Sequence, residues 1–432
     1  MIQSFSVQNF ASIKDRITLN FEASKDEKLS DYYIISPDGK TRLLKLAMIY
    51  GANASGKTNV LESLEFLVRT LIFPLESKND FFEFEPFSFQ ENPKHIPTYF
   101  ELIFWVGKRK YFYEIALSNL AIHQEELYAS NGRKYKVFSR KNDLDKKLSK
   151  IEFGSKISIT ATDKEVLEAN TLWNNSVFGG YEKTNVYIEE LKECMEWLTS
   201  YTRPLIYPKS DLKDFAINTL QDNKAQKEIM LQLLNKADFC IDDIEVKSFE
   251  FDITDEFLEQ YPEPMRKVLN SVKPDNNKIR KKEVLFYHKI NGKHYPLVYS
   301  QESEGTRRYF ELSGLFAGII QNPTFTLIDE IESSLHPDLL QHFLLLFLEN
   351  SNQSQILCTT HFREFLQEKE LYRDDVIWFT EKNKEGATEL YSLDDFGSEV
   401  IRDTSSVFNA YKIGKLGATP KLSDIYLNTN EE

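Results

Sequence analysis

The sequence has little cysteine, no long apolar run and no excess of positive charge, and each lack removes a class of protein. Three cysteines in 432 residues, Cys194, Cys240 and Cys358, stand far apart without C-x-x-C spacing. That leaves no framework for structural disulfides and no zinc site, and it fits a reducing cytoplasm. The opening MIQSFSVQNF has no basic stretch followed by an apolar one, so a secretory leader is not expected. The most apolar stretch, Leu339 to Leu348, is broken by Gln341 and His342, whereas a bilayer span needs roughly 20 apolar residues in succession. The expectation is a soluble, cytoplasmic protein with no membrane contact.

Lysine and arginine number 53 against 67 aspartates and glutamates, for a formal net charge of −14. This argues against a broadly basic nucleic-acid surface, although two local runs, 133–150 (RKYKVFSRKNDLDKKLSK) and 278–282 (KIRKK), are basic. Residues 238–264 run the other way, with ten carboxylates to one lysine. Each run reads first as a solvated face or loop. What the chain does have is apolar material: 41% hydrophobic residues, with 32 Phe and 21 Tyr, suffice for a sizeable core and exclude a disordered chain. The length fits about three domain-sized units or one large α/β domain with insertions.

Periodicity orders the chain. Ile2–Asn9 and Arg16–Glu22 alternate like strands about the turn FASIKD, and LLKLAMIY is an apolar run short enough for a buried strand. It leads into GANASGKT and then a helix, NVLESLEFLVRTLIF, with Val60, Leu61, Leu64, Leu67 and Val68 at helical spacing. Alternation returns in YFELIFWV and KYFYEIAL, which predicts an antiparallel layer flanking that helix. From about 160 to 272 the pattern turns helical without a sustained heptad, so an inserted helical subdomain is expected and a long coiled-coil arm is not. Strand signals resume at VLFYHKI and HYPLVYS. There follow a helix (TRRYFELSGLFAGII), the strand FTLID, a helix (HPDLLQHFLLLFLEN), the strand QILCTT and a last strand near DVIWFT. Strands alternating with helices imply a largely parallel sheet covered on both faces. The expected architecture is α/β, with an N-terminal lobe over 1–159, a helical insertion over 160–280 and a C-terminal lobe over 281–432.

Gly51-Ala-Asn-Ala-Ser-Gly-Lys-Thr58 matches G-x-x-x-x-G-K-[ST], between a predicted strand and a predicted helix as that motif requires. Its glycines let backbone N–H groups curl around phosphates at a helix N-terminus. Lys57 reaches the β- and γ-phosphates and the Thr58 hydroxyl binds Mg²⁺. Gly51, Asn53, Ser55, Gly56, Lys57, Thr58 and Asn59 are therefore the candidate nucleotide-binding residues. Phe325-Thr-Leu-Ile-Asp329-Glu330 is an apolar strand ending in two acids. Asp329 is placed to hold Mg²⁺, directly or through water, and Glu330 to orient and activate the attacking water. Alone, the two acids would serve equally as caps for the following helix. Ser303-Glu-Gly-Thr306, 26 residues before Asp329, is by itself an ordinary helix N-cap. His361 follows the strand QILCTT, 32 residues after Asp329, on the sheet edge where α/β ligand sites form. A neutral imidazole there can sense the γ-phosphate and help position water.

In this order the four elements resemble ABC-type ATPases of the SMC-like branch. The closer resemblance is to the stand-alone bacterial AAA ATPases of phage-defence (abortive infection) operons, of the RloA/AbiLi and PARIS AriA type. It rests on NFASIKD, SEGTRRYFEL, LIDEIESSLHPDLL, the TTH triplet and the tail IRDTSSVFNAYKIGKLGATP, and it leaves out the 160–280 insertion. The resemblance implies an ATP hydrolase using Mg²⁺, with Glu330 and His361 catalytic. It makes SEGT the signature segment, in which Ser303 and Gly305 meet the γ-phosphate held by the opposite subunit. Ser334 and His336 become the D-loop crossing a homodimer interface, or that of a higher oligomer. His336 stands where transporters place an aspartate, and no Q-loop glutamine is securely placed: Gln90 is a candidate that reads first as a plain surface glutamine. Only 71 residues follow His361, too few for a TOPRIM nuclease domain, and no nuclease constellation is visible elsewhere. The implied effector is then a separate, nuclease-like toxin, with a phage protein as a conceivable trigger. Two other classes stay open: an SMC-like repair ATPase clamping DNA, which the basic runs keep in view, and the energising subunit of a transporter, which needs a membrane partner.

Overall fold

The computed structural model describes residues 1–237, 239–252, 262–264, 266–267, 278–396 and 406–420. The chain forms two compact units, Met1–Lys209 with Asn322–Ser333 and Leu344–Glu432, and Ser210–Gln321 with Ser334–Phe343. These divisions differ from the boundaries expected at 160 and 280. Helices Ala161–Asn170, Val177–Glu182 and Glu189–Tyr201 belong to the first unit, where Trp197 stacks on Phe104 of a sheet strand at 4.4 Å between ring centres.

The first unit carries two large sheets. One has five strands in the order Phe325–Ile328, Gln355–Thr359, Leu46–Gly51, Ile377–Lys382, Thr388–Ser392. The first four pair in parallel and the last is antiparallel, a strand that the sequence reading did not include. Every residue of FTLI, QILCT and LAMIYG is buried. Parallel strands covered on both faces are apolar throughout rather than alternating, which is why these runs were legible. The helix Lys57–Ile72 buries Val60, Leu61, Leu64, Leu67 and Leu71, with Val68 half-buried. On the outer edge, Thr202 and Ile206 bridge in parallel to Phe325 and Ile328, so the acidic strand is not left open.

The other sheet is antiparallel, in the order Leu148–Phe153, Lys134–Asp143, Ile122–Ser130, Arg109–Leu117, Thr98–Val106, Ile2–Gln8, Ile17–Asn20. Its middle strands alternate buried and half-exposed residues, as strands with one face on a core must. The basic run 133–150, expected as a solvated face or loop, falls largely in its outer hairpin, paired from Leu148↔Asp143 to Phe153↔Phe138. Lysines on such an edge discourage pairing with other chains. One cation of the run faces inward: Arg140 is buried and ion-paired with buried Glu125 at 3.0 Å.

The second unit packs helices Lys213–Asp222, Lys224–Lys236 and Glu304–Gln321 with a three-stranded antiparallel sheet, Ile241–Asp252, Lys278–Ile290, Lys293–Val298. The helical expectation up to 272 therefore fails over Ile241–Asp252, which is a strand. Part of the acidic block, 253–261 included, lies outside the described residues. Phe310 meets Phe286 edge-on at 5.1 Å and Tyr309 meets Phe343 at 5.7 Å in this unit's core. All three cysteines are unpaired. Among the described residues no helix is long and apolar enough to cross a membrane.

Candidate functional site

The sheet order puts the strand leading into Asp329 two places from the strand ending in Gly51, with Gln355–Thr359 between them. Three loops, GANASGKT, DE and TTH, thus leave neighbouring carboxyl ends, the edge where open α/β sheets bind ligands. The first loop runs from strand Leu46–Gly51 to helix Lys57–Ile72, with Gly56 at φ +104°. A Cβ on Gly56 would lie 2.1 Å from Thr388 Oγ1, and one on Gly51 would lie 2.5 Å from Ser55 Oγ and Thr380 Oγ1. Both glycines are therefore required by packing.

Ser55 and Asn59 hold the loop from behind. Ser55 Oγ shares a hydrogen bond with Thr380 Oγ1 at 2.6 Å, and Asn59 Nδ2 donates to Ser12 Oγ at 2.6 Å in the FASIKD turn. Asn53 is exposed on the loop's rim. Lys57 is buried, and its Nζ donates to the carbonyls of Gly51 and Ala52 at 3.0 and 3.1 Å, inside the loop's own curl. Desolvation lowers its pKa, against the charges of Asp329, Glu330 and Glu332.

Thr58 Oγ1 donates to both oxygens of Asp329 at 3.1 Å. Asp329 Oδ1 also accepts from Thr359 Oγ1 at 2.6 Å, and that hydroxyl in turn accepts the Glu330 N–H at 2.8 Å. Glu330 sits at φ +45°, a left-handed backbone uncommon for a side chain of this kind. Ile331 N–H donates to the Thr359 carbonyl at 3.1 Å, and His361 N–H donates to Glu332 Oε1 at 2.6 Å. The acidic turn and the TTH turn are thus laced together. Thr359 and Glu332 were missed as site residues; one lies in the TTH triplet and the other two positions past the acidic pair, so both were within quoted motifs.

Among the described residues no group of three or more His, Cys, Asp or Glu is arranged to hold a metal. What converges is one hydroxyl and one carboxylate, Thr58 and Asp329. That donor set fits Mg²⁺, which keeps several waters and takes phosphate oxygens instead of a full protein cage. His361 is exposed, and partial desolvation followed by the charge of Lys57 lowers its pKa, with Glu332, Glu330 and Asp329 opposing. The imidazole is accordingly neutral near pH 7. A cavity of about 690 Å³ adjoins the loop, lined by Gly51, Asn53, Ser55, His361, Arg363 and Lys382 among others. Its far wall includes Tyr411 and Ala418 of the quoted tail, of which 401–405 lie outside the described residues. Gln90, the Q-loop candidate, donates to Asn9 Oδ1 at 2.6 Å, just past the end of strand Ile2–Gln8.

In the second unit Ser303 Oγ accepts the Thr306 N–H at 3.0 Å, the ordinary cap of helix Glu304–Gln321. A Cβ on Gly305 would meet nothing closer than the Ser334 carbonyl at 3.3 Å. Ser334, at φ +63°, donates to Glu304 Oε1 at 2.8 Å, so the signature and D-loop candidates adjoin within this unit. His336 is exposed, and its Nδ1 accepts the Asp338 N–H at 3.3 Å.

A phosphate-binding loop between a buried strand and a helix, with a hydroxyl and a carboxylate meeting beside it, defines a P-loop nucleoside-triphosphatase fold. The chain matches the family described as "AAA domain, putative AbiEii toxin, Type IV TA system" over residues 46–182 and 198–362, most of its length, and belongs to that family. Comparison with curated proteins gives no match. Among solved structures, the SMC head domain from Thermotoga maritima is similar at 14% identity and a TM-score of 0.40, covering 90% of this chain and 98% of that one. An SMC head bound to the C-terminal winged-helix domain of ScpA gives 12% and 0.42, covering 90% and 97%. A head with an extended coiled coil bound to the C-terminal domain of ScpA, derived from Pyrococcus furiosus, gives 13% and 0.34, covering 96% and 98%. At these values the likenesses carry no argument, and the α/β architecture stands on the sheet order above.

Proposed function

We propose that this chain is an ABC-type ATP hydrolase whose cycle joins and releases two copies of itself, and that in abortive infection it controls a separate toxic effector. One observation carries the hydrolase reading: the Thr58 hydroxyl and the Asp329 carboxylate meet at 3.1 Å beside a loop that already encloses a buried lysine. When bound, Mg²⁺ neutralises charge on the β- and γ-phosphates. The chain's own residues do the rest. Amides of residues 51–58 cradle the phosphates, and Lys57 exchanges the carbonyls of Gly51 and Ala52 for phosphate oxygens. Glu330 takes a proton from the attacking water, and neutral His361 orients that water toward the γ-phosphate. Ser303 and Gly305 of one copy would complete the site of the other. Gly305 lies close against the Ser334 carbonyl, 3.3 Å from where a Cβ would sit, so a side chain at that position would crowd the two segments.

The link to phage defence rests on family membership, whose description names an Abi toxin. The DNA-clamping alternative stays open: Arg140 of the basic run is buried against Glu125, out of reach of a DNA phosphate, but Lys141, Lys146, Lys147 and Lys150 are exposed. Phosphate release from ATP by the purified chain tests the hydrolase reading. It should require Mg²⁺ and cease in excess EDTA; no Mg²⁺-dependent release under any protein concentration would overturn it.

A further inference from the structure

Glu332 has no part in the reaction as drawn above, yet its surroundings are those of a working residue. One carboxylate oxygen, Oε1, accepts the His361 N–H at 2.6 Å, and the other, Oε2, is buried without a hydrogen-bond partner. A buried anionic oxygen left unpaired is costly, so something other than surface solvation keeps the group here. Its charge acts on Lys57 and on His361, and also on buried Tyr50 and Cys358. The carboxylate is therefore within electrostatic reach of both the phosphate-binding lysine and the γ-phosphate sensor.

The lacing of the two turns shows what Glu332 does that its neighbours do not. Thr359 is held by the amides of Glu330 and Ile331, and Thr360 N–H is held by the Ile49 carbonyl at 3.0 Å. Phe362 N–H turns back to Thr360 Oγ1 at 3.0 Å. His361 lies between these fixed points, and its own amide is fixed by the Glu332 side chain. The acidic turn thus sets the position of the histidine through one ionised hydrogen bond, and charge-assisted bonds are the short, strong ones.

We propose that Glu332 is a positioning residue for hydrolysis: it holds the His361 backbone so that the imidazole meets the γ-phosphate and its attacking water. The proposal rests on the hydrolase reading, and Mg²⁺-dependent turnover by the wild-type chain is established first; its absence would remove that reading and this one together.

Given turnover, three variants and a double-mutant cycle decide. Glu332→Ala should lower kcat roughly 10- to 100-fold, the effect of a misplaced catalytic group, while ATP affinity measured by equilibrium binding stays within about threefold. Glu332→Gln keeps an oxygen that can accept the same N–H and should restore most of kcat. Glu332→Asp keeps the charge but is one methylene too short, and should be slow. Because His361→Ala retains its backbone N–H, adding Glu332→Ala to it should cost nothing further if Glu332 acts through the imidazole. Unchanged kcat in Glu332→Ala, a slow Glu332→Gln beside a fast Glu332→Asp, or full additivity with His361→Ala would each overturn the proposal. Should Glu332→Ala fail to fold, the Gln and Asp pair, alone and with His361→Ala, still decides it.

Discussion

Replacing Glu330 by glutamine is the most selective cut this site allows. Glutamine is nearly isosteric, and the bond that holds residue 330, from its backbone N–H to Thr359 Oγ1 at 2.8 Å, survives the change. The left-handed backbone at φ +45° costs the same for either side chain, so the fold should lose little. What disappears is the basic oxygen, together with one of the three carboxylate charges that act on Lys57. A general base is worth roughly 10²- to 10⁴-fold in turnover, or about 2.7–5.4 kcal/mol of barrier. ATP is a polyanion, so removing a negative charge from beside it should leave affinity unchanged or improve it. Phosphate release at saturating ATP, paired with equilibrium binding of a fluorescent ATP analogue, separates the two quantities. We expect kcat to fall at least about 100-fold with Kd equal or lower. Wild-type turnover would move the general base elsewhere, and lost binding would make Glu330 a structural residue.

Lys57→Ala removes donors rather than a base, so it should weaken nucleotide binding about 10- to 100-fold, measured by the same binding assay; unchanged affinity would contradict the phosphate role. Ser303→Arg chains mixed with Lys57→Ala chains should recover turnover that neither has alone, because each mixed dimer holds one intact composite site. No recovery, with mixed dimers confirmed by mass and a single site shown competent, would sink the trans role of Ser303. Arg140→Leu strands Glu125, which also accepts from Tyr113 OH at 2.9 Å and Val177 N–H at 3.0 Å, in a buried site. The loss should be about 3–5 kcal/mol by chemical denaturation, and Glu125→Gln in the same chain should return part of it. Burial raises the Glu125 pKa above its ordinary 4.5 even with Arg140 present. The folded state of Arg140→Leu therefore holds that proton more tightly than the unfolded chain, and its deficit should shrink as pH falls toward 4.5 and grow as pH rises. A pH-independent deficit would show that the carboxylate is not the cause.

The central sheet was legible because its buried parallel strands are unbroken apolar runs, and because the loop after Leu46–Gly51 has a spacing that few other structures use. The outer hairpin was not. Its edge strand alternates only weakly in burial, with Ile151 the one fully buried residue of Leu148–Phe153. Nor could the sequence show which unit a helix joins. Glu189–Tyr201 carries the same apolar stripe that an insertion helix would, and tertiary contacts such as Trp197 on Phe104 and Glu193 with Arg109 assign it. At the site, Lys57, Thr58, Asp329 and Glu330 follow from motifs, whereas Thr359 and Glu332 matter through a hydroxyl and a carboxylate reaching across to neighbouring turns. Such partnerships depend on strand order, which is not local in the sequence. The two readings of Ser303 also meet in the structure: the cap is present, and the proposed trans contact needs a second copy.

Glu330 occupies a backbone conformation that glycine or asparagine would adopt with less strain. Natural drift toward a more robust molecule therefore pulls against the chemistry at this one position. A substitution that relaxes the turn would make the protein harder to unfold and idle at the same time. Screens of this chain for thermal hardiness alone would be expected to enrich inactive molecules at residue 330, so resilience is a poor proxy for competence in this protein.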